Sequence, residues 1–166
     1  WEDFNISEDS HYFKFAKKAL DLRISGGGYD LKNIKGKRVI DMGCGSGRFS
    51  ITLAKFWNPK EVIAIDSSDY SISNGKKISK RLGLKNIKFL KKSVLNSGFD
   101  DNYFDFVFSN GVFHHTSDMW KCLKEQNRIM KPNGWGWIYL YGKGGIQWNS
   151  RLYMRKLMKK IDRGFV

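Results

Sequence analysis

Residues 39–50 read Val-Ile-Asp-Met-Gly-Cys-Gly-Ser-Gly-Arg-Phe-Ser and constrain this chain more than any other stretch. Val39 and Ile40 end a short apolar run. Gly43, Gly45 and Gly47 then alternate with Cys44 and Ser46, and Leu53, Ala54 and Phe56 begin a helical pattern. A glycine turn between a buried strand and a helix lets backbone approach a ligand closely. This predicts an α/β fold with a nucleotide-type cofactor at the turn. A dinucleotide fingerprint would space its glycines Gly-x-Gly-x-x-Gly and hold a pyrophosphate at the helix N-terminus. Here the spacing is Gly-x-Gly-x-Gly, with Asp41 two residues ahead of the first glycine.

Further along, Glu61-Val-Ile-Ala-Ile-Asp66 is an apolar run ending in a carboxylate, 25 positions after Asp41. An acidic residue at the tip of a second strand can accept hydrogen bonds from ribose hydroxyls. The competing role for Asp66 is to cap the helix that follows, with Ser68 as another candidate cap. Phe104-Asp-Phe-Val-Phe-Ser109 is a third such run, followed by Asn110-Gly-Val-Phe-His-His115. A segment Lys124-Glu-Gln-Asn-Arg-Ile-Met-Lys-Pro-Asn-Gly134 precedes the last apolar strand pattern.

Together these stretches, over about residues 35–142, resemble class I S-adenosylmethionine-dependent methyltransferases. The first motif of that family is commonly (Asp/Glu)-x-Gly-x-Gly-x-Gly. Phe104–His115 and Lys124–Gly134 are similar to the small-molecule branch that includes the ubiquinone/menaquinone-biosynthesis enzymes, with Met130 and Asn133 replacing the usual Leu and Gly. The resemblance implies a Rossmann-like, doubly wound, mainly parallel sheet in the order 3-2-1-4-5, with helices on both faces and S-adenosyl-L-methionine as cofactor. The implied ligand set is Asp41, Gly43, Cys44, Gly45, Ser46 and Gly47 around the turn, and Asp66 and Ser67 after the second strand. Ser93, Val94 and Asn110 complete it. Asp41 would help hold the cofactor's amino group. Ser93 stands where the family often carries an Asp for the adenine amino group, and Val94 would offer its amide to the ring.

The alternation of elements supports parallel strands joined by crossovers. Strands are predicted at 37–42, 61–66, 87–92, 104–109 and 135–141. Helices are predicted at 8–23, 47–57, 69–82, 117–130 and 147–162. Residues 1–34 read as an N-terminal helical segment, and 35–166 as the cofactor-binding domain. Tyr12, Phe13, Ala16, Ala19 and Leu20 share one face of the first helix, and Gly26-Gly-Gly28 ends it. Family members add two further strands, so the sheet is expected to be C-terminally truncated, with strand five at an edge that is open to pairing. The chain begins at Trp1 and reads as a fragment or a trimmed chain.

Composition bounds the remaining options. A chain of 166 residues can bury a single core. No run approaches membrane-span length and no apolar leader opens the chain, which favours a cytoplasmic protein. Cys44 and Cys122 form neither a zinc pattern nor a disulfide framework; Cys44 reads as filler in the turn. Three histidines without clustered carboxylates argue against a metal site. The net charge of +14 gathers at Lys76, Lys77, Lys80, Arg81, Lys85, Lys88, Lys91 and Lys92, and again at Arg151–Arg163. Such a field attracts nucleic acid, anionic lipid or acidic partners, but no RNA-binding motif accompanies it, and solvated helix faces are the favoured reading.

For the chemistry, His114 and His115 follow strand four, where the family's acceptor faces the methyl group. Either is a candidate general base; the alternative is that they shape the loop. Asp105 reads as structural and His11 as a surface residue. The Asn/Asp-Pro-Pro-Tyr pattern of nucleobase amine methylation is missing, as is a Pro-Cys nucleophile. None of the four glutamates, Glu2, Glu8, Glu61 and Glu125, fits the two-glutamate loop of arginine methyltransferases. Methylation of a small molecule at O, N or C is therefore the expected function. Alternatives are an RNA- or protein-directed methyltransferase using the basic faces, a noncatalytic cofactor- or partner-binding domain, and a nicotinamide oxidoreductase. Met154, Leu157, Met158 and Ile161 follow helical spacing with a basic surround, as expected of a sheet-covering helix, the alternative being a membrane-surface or lipid-substrate helix. Trp135, Trp137, Tyr139 and Tyr141 alternate along strand five, so one aromatic row is expected in the core, with the other facing a helix or exposed through truncation.

Overall fold

The computed structural model describes residues 11–141. Its sheet has five strands in the order β3-β2-β1-β4-β5, and every pairing is parallel. The strands are β1 (Arg38–Met42), β2 (Glu61–Asp66), β3 (Ile87–Lys91), β4 (Phe104–Asn110) and β5 (Met130–Tyr139). The helices are α1 (His11–Ser25), α2 (Arg48–Phe56), α3 (Asp69–Arg81) and α4 (Met119–Ile129), with short 3-10 turns at Leu31–Ile34 and Phe113–His115. The expected doubly wound fold is therefore present. The last predicted helix, 147–162, lies outside the described residues.

Strand parity divides the core in two. Val39, Val62, Ala64, Phe106 and Phe108 point to the side covered by Phe13, Leu20 and Ile24 of α1, Ile51 and Leu53 of α2, and Ile72 of α3. Ile40, Met42, Ile63, Ile65 and Val107 point to the other side, against Cys122 and Ile129 of α4 and Phe113 of the second turn. Strands β1, β2 and β4 are thus buried on both faces, which explains their near-continuous apolar runs. Helix α1 shares its core with the sheet and buries Phe13, Ala16, Leu20 and Ile24 at i, i+3, i+4 spacing. It runs two residues further than predicted because Ile24 fills the core.

Strand β5 begins five residues earlier than the pattern suggested. Phe104 pairs with Met130, but Phe106 pairs with Trp135, so residues 131–134 loop out of the ladder. Asn133 adopts φ 62° within this bulge, a conformation that Asn tolerates better than most residues. The looped-out Lys131 donates to Asp105 Oδ1 at 2.8 Å, while the Arg38 amide donates to Oδ2 at 2.8 Å. Burial pushes the Asp105 carboxyl up, but these bonds outweigh it and hold the group below its ordinary range. Asp105 is a structural tie between three strands. The aromatic row of β5 is only partly core: Trp137 packs against it, while Trp135, Tyr139 and Tyr141 are exposed.

Candidate cofactor site

At the carboxyl end of β1 the chain makes its glycine turn. Gly43, Gly45 and Gly47 all have positive φ, at 85°, 53° and 85°. At Gly43 and Gly47 a side chain is also excluded by packing: an added Cβ would lie 2.5 Å from the Val112 methyls and 2.5 Å from the Phe89 ring respectively. At Gly45 nothing stands within 4 Å of that position. The middle glycine therefore leaves space where the outer two leave none.

The turn's amides decide what kind of ligand it suits. Gly43 and Cys44 donate to the Ile65 carbonyl at 2.8 and 2.9 Å, Gly47 donates to the Cys44 carbonyl at 3.0 Å, and Gly45 donates to Asp66 Oδ2 at 2.9 Å. A phosphate nest needs free amides. Four of these are engaged within the protein, and two carboxylates, Asp41 and Asp66, stand beside them. Such an environment disfavours a pyrophosphate and suits hydroxyls or a cation.

Asp66 ends β2, with its carboxylate held at both oxygens. Oδ1 accepts the Ser68 amide at 2.9 Å and Oδ2 the Gly45 amide. Each oxygen keeps a second lone pair for an incoming hydroxyl. Helix α3 is capped by Ser68, whose hydroxyl accepts from the Ser71 amide at 3.2 Å. Asp66 is therefore not the cap, and it lines a cavity of about 310 Å³ together with Gly43, Ser67, Lys92, Ser93, Val94 and Leu95. Val112, His115, Thr116 and Ser117 close the far side. Ser93 Oγ accepts the Leu95 amide at 3.1 Å, and Lys92 Nζ donates to the Ser97 carbonyl at 2.7 Å.

The remaining predicted ligands sit around this cavity rather than on its wall. Asp41 is buried at 2% exposure and accepts the Ser50 hydroxyl at 2.5 Å. Burial pushes its carboxyl up to about 7, against the lowering effect of Ser50, with Asp66 raising it further. Cys44 packs against the core beneath the turn, and its thiol donates to the Gly45 carbonyl at 3.3 Å. Burial and the two carboxylates push that thiol far up, so it stays protonated. Ser46 is exposed at the crest of the turn. Asn110, at the end of β4, accepts from Arg23 Nη1 at 3.3 Å.

Besides His115, the candidate base, five cavity residues carried no site role in the sequence reading: Lys92, Leu95, Val112, Thr116 and Ser117. Three of them come from the irregular stretch after β4, where no periodicity marks them. Val112 had one legible signal, its place directly after the strand-four motif. His115 reaches the cavity wall and His114 does not. Both ring nitrogens of His114 are buried without a hydrogen-bond partner, and burial, with His115 beside it, lowers its pKa.

Comparisons with known proteins bear on the family and the fold. A family profile described as methyltransferase domain matches residues 33–142. The chain is similar to demethylmenaquinone methyltransferase of Geobacillus kaustophilus (strain HTA426), with 35% identity over 101 residues, covering 60% of this chain and 43% of the relative. It thus spans less than half the length of that curated relative. Among solved structures, a putative S-adenosyl-L-methionine-dependent methyltransferase from Methanococcus maripaludis superposes with a TM-score of 0.66 at 24% identity, covering 95% of this chain and 77% of the other. Phosphoethanolamine N-methyltransferase 1 of Haemonchus contortus, solved with phosphoethanolamine and S-adenosylhomocysteine, gives a TM-score of 0.66 at 19% identity, covering 79% of this chain and 27% of that one. These two likenesses concern the fold.

Proposed function

The chain belongs to the methyltransferase domain family, and from that premise we propose that it is a class I S-adenosylmethionine-dependent enzyme of the menaquinone-like branch, catalysing methyl transfer to a small-molecule acceptor. The observation that carries this reading is the Asp66 carboxylate. Two backbone amides orient it at the tip of β2 and it opens onto the cavity.

S-adenosylmethionine, when bound, supplies a methyl group already activated on a sulfonium. Alignment of the acceptor is then the main task left to the protein, and ideal positioning is worth about 7–11 kcal/mol of a barrier. Asp66 suits the ribose hydroxyls, since an anionic acceptor with fixed geometry makes the stronger kind of hydrogen bond. The apolar faces of Val94, Leu95 and Val112 suit a purine ring, with Ser93 as a neutral polar partner at its edge. Asp41, behind the turn, would balance the cofactor's ammonium. Gly45 leaves open the space at its own position in the turn.

The test is calorimetry with S-adenosylhomocysteine and with NADH. Saturable binding of the first and none of the second is expected. Preference for NADH would overturn the reading.

A further inference from the structure

A continuous row of rings leads away from the cofactor cavity along the carboxyl ends of β4 and β5. His115, on the cavity wall, lies 4.0 Å from His114 between ring centroids, and His114 lies 4.5 Å from Tyr141. Tyr141 is 5.6 Å from Tyr139, and the Arg23 guanidinium sits 5.5 Å over the Tyr139 ring. The row has a rigid base: Tyr139 stacks on Trp137 at 10° between planes, and Trp137 on the buried Phe108 at 9°. Tyr139 and Tyr141 are nevertheless 40% and 42% exposed. Buried aromatic rows are ordinary core. A braced row that stays open beside a cofactor cavity is a surface for a flat ligand.

Arg23 gives that surface a charge. It is exposed, held at Nη1 by Asn110 Oδ1, and no carboxylate pairs with it among the described residues. Arg48 provides the contrast. It shares the Phe49 ring with Arg23 but is enclosed by Tyr12, Phe15 and Phe49, at 5.0, 5.7 and 5.3 Å. Arg48 is packed in, whereas Arg23 is preorganised and open. A guanidinium in that condition offers a planar fork that matches a carboxylate. His114 adds an unsatisfied group to the row, since both of its nitrogens are buried and unpartnered, and such groups cost stability unless a ligand or water serves them.

Resting on the methyltransferase reading, we propose that this row is the acceptor platform and that it takes a planar conjugated acid, its ring lying along His114, Tyr141 and Tyr139 and its carboxylate on Arg23. The test uses the protein loaded with S-adenosylhomocysteine and two probes, cinnamate and its uncharged amide, cinnamamide, titrated by NMR. Cinnamate should bind at least about tenfold more tightly than cinnamamide, as expected for one charge-assisted hydrogen-bonded contact. Arg23→Gln should abolish that preference, and Tyr141→Leu should weaken both probes alike. Equal binding of the two probes, or binding of neither, overturns the proposal. So does an Arg23→Gln variant that loses S-adenosylhomocysteine affinity but keeps that for 5′-methylthioadenosine, because the carboxylate read by Arg23 would then be the cofactor's own. Failure of wild type to bind S-adenosylhomocysteine at all would sink both this proposal and the reading beneath it, and separates the two kinds of failure.

Discussion

The Gly45 amide donates to Asp66 Oδ2 at 2.9 Å. One hydrogen bond thus joins the crest of the turn after β1 to the tip of β2, two segments that a ligand in the cavity would touch together. Substituting Asp66 therefore acts twice, on the ligand and on the turn. Asp66→Ala should weaken S-adenosylhomocysteine binding by at least about tenfold, as removing a charged acceptor costs about 1.5–3 kcal/mol. Calorimetry checks this, and unchanged affinity would remove Asp66 from the site.

The buried Asp41 carries a pH dependence. Its carboxyl titrates near 3.8 when unfolded and at about 7 when folded. The folded state therefore binds the extra proton between those values. The stability this contributes is full below about pH 4 and lost as pH rises through 7. Asp41→Asn, which stays neutral, should flatten this part of the stability profile and raise the melting temperature of the ligand-free protein at pH 8 by about 5 °C. A bound ammonium favours the ionised carboxylate, so wild-type affinity for S-adenosylhomocysteine should rise several-fold from pH 6 to pH 8, and the variant should lose that rise.

Two of the turn glycines, Gly45 and Gly47, should separate by cost. At Gly45 an alanine meets open space and bears only the left-handed backbone penalty, about 1–2 kcal/mol. At Gly47 the same penalty is joined by a 2.5 Å approach to Phe89, which also packs against Gly75. Denaturant unfolding should place Gly47→Ala well below Gly45→Ala in stability, whereas ligand affinity should suffer in both.

Away from the cavity, Glu125 fastens α4 to the loop after β3. It accepts from the Ser97 amide and hydroxyl at 2.7 and 2.6 Å, and from Arg128 at 2.8 and 2.9 Å. The Arg128 guanidinium, foremost, holds its carboxyl down at about 2 against burial. A depressed carboxyl stabilises the fold above the unfolded value of 4.5, and the benefit fades as pH falls toward 2. Glu125→Gln should cost about 2 kcal/mol at pH 7 and little at pH 2, measured by urea unfolding at the two pH values.

Much of the architecture is legible because β1, β2 and β4 are covered on both faces. Their apolar runs are then unbroken, and glycine and charge mark their ends. Asp66 is legible for the same reason, since it is the first carboxylate after such a run. Less can be read where tertiary register decides the outcome. The bulge at 131–134 exists because Phe104 and Phe106 take partners five residues apart, which local pattern does not encode. Val112, Thr116 and Ser117 reach the cavity through a loop with no period of its own. The alternation of Trp135, Trp137 and Tyr139 reveals a shared face, but only the position of β5 at the sheet edge leaves part of that face uncovered.

Strand β1 joins β2 through a short helical crossover but meets β4 across 67 residues, with Val39 beside Phe106. Closing so long a loop is entropically slower than closing the short ones. Strands β1, β2 and β3, which carry the glycine turn, Asp66 and Ser93, can therefore assemble as an early nucleus, while the β4–β5 half docks later. On the functional reading proposed above, the segments that would cradle the cofactor then form before the ring row proposed to hold the acceptor.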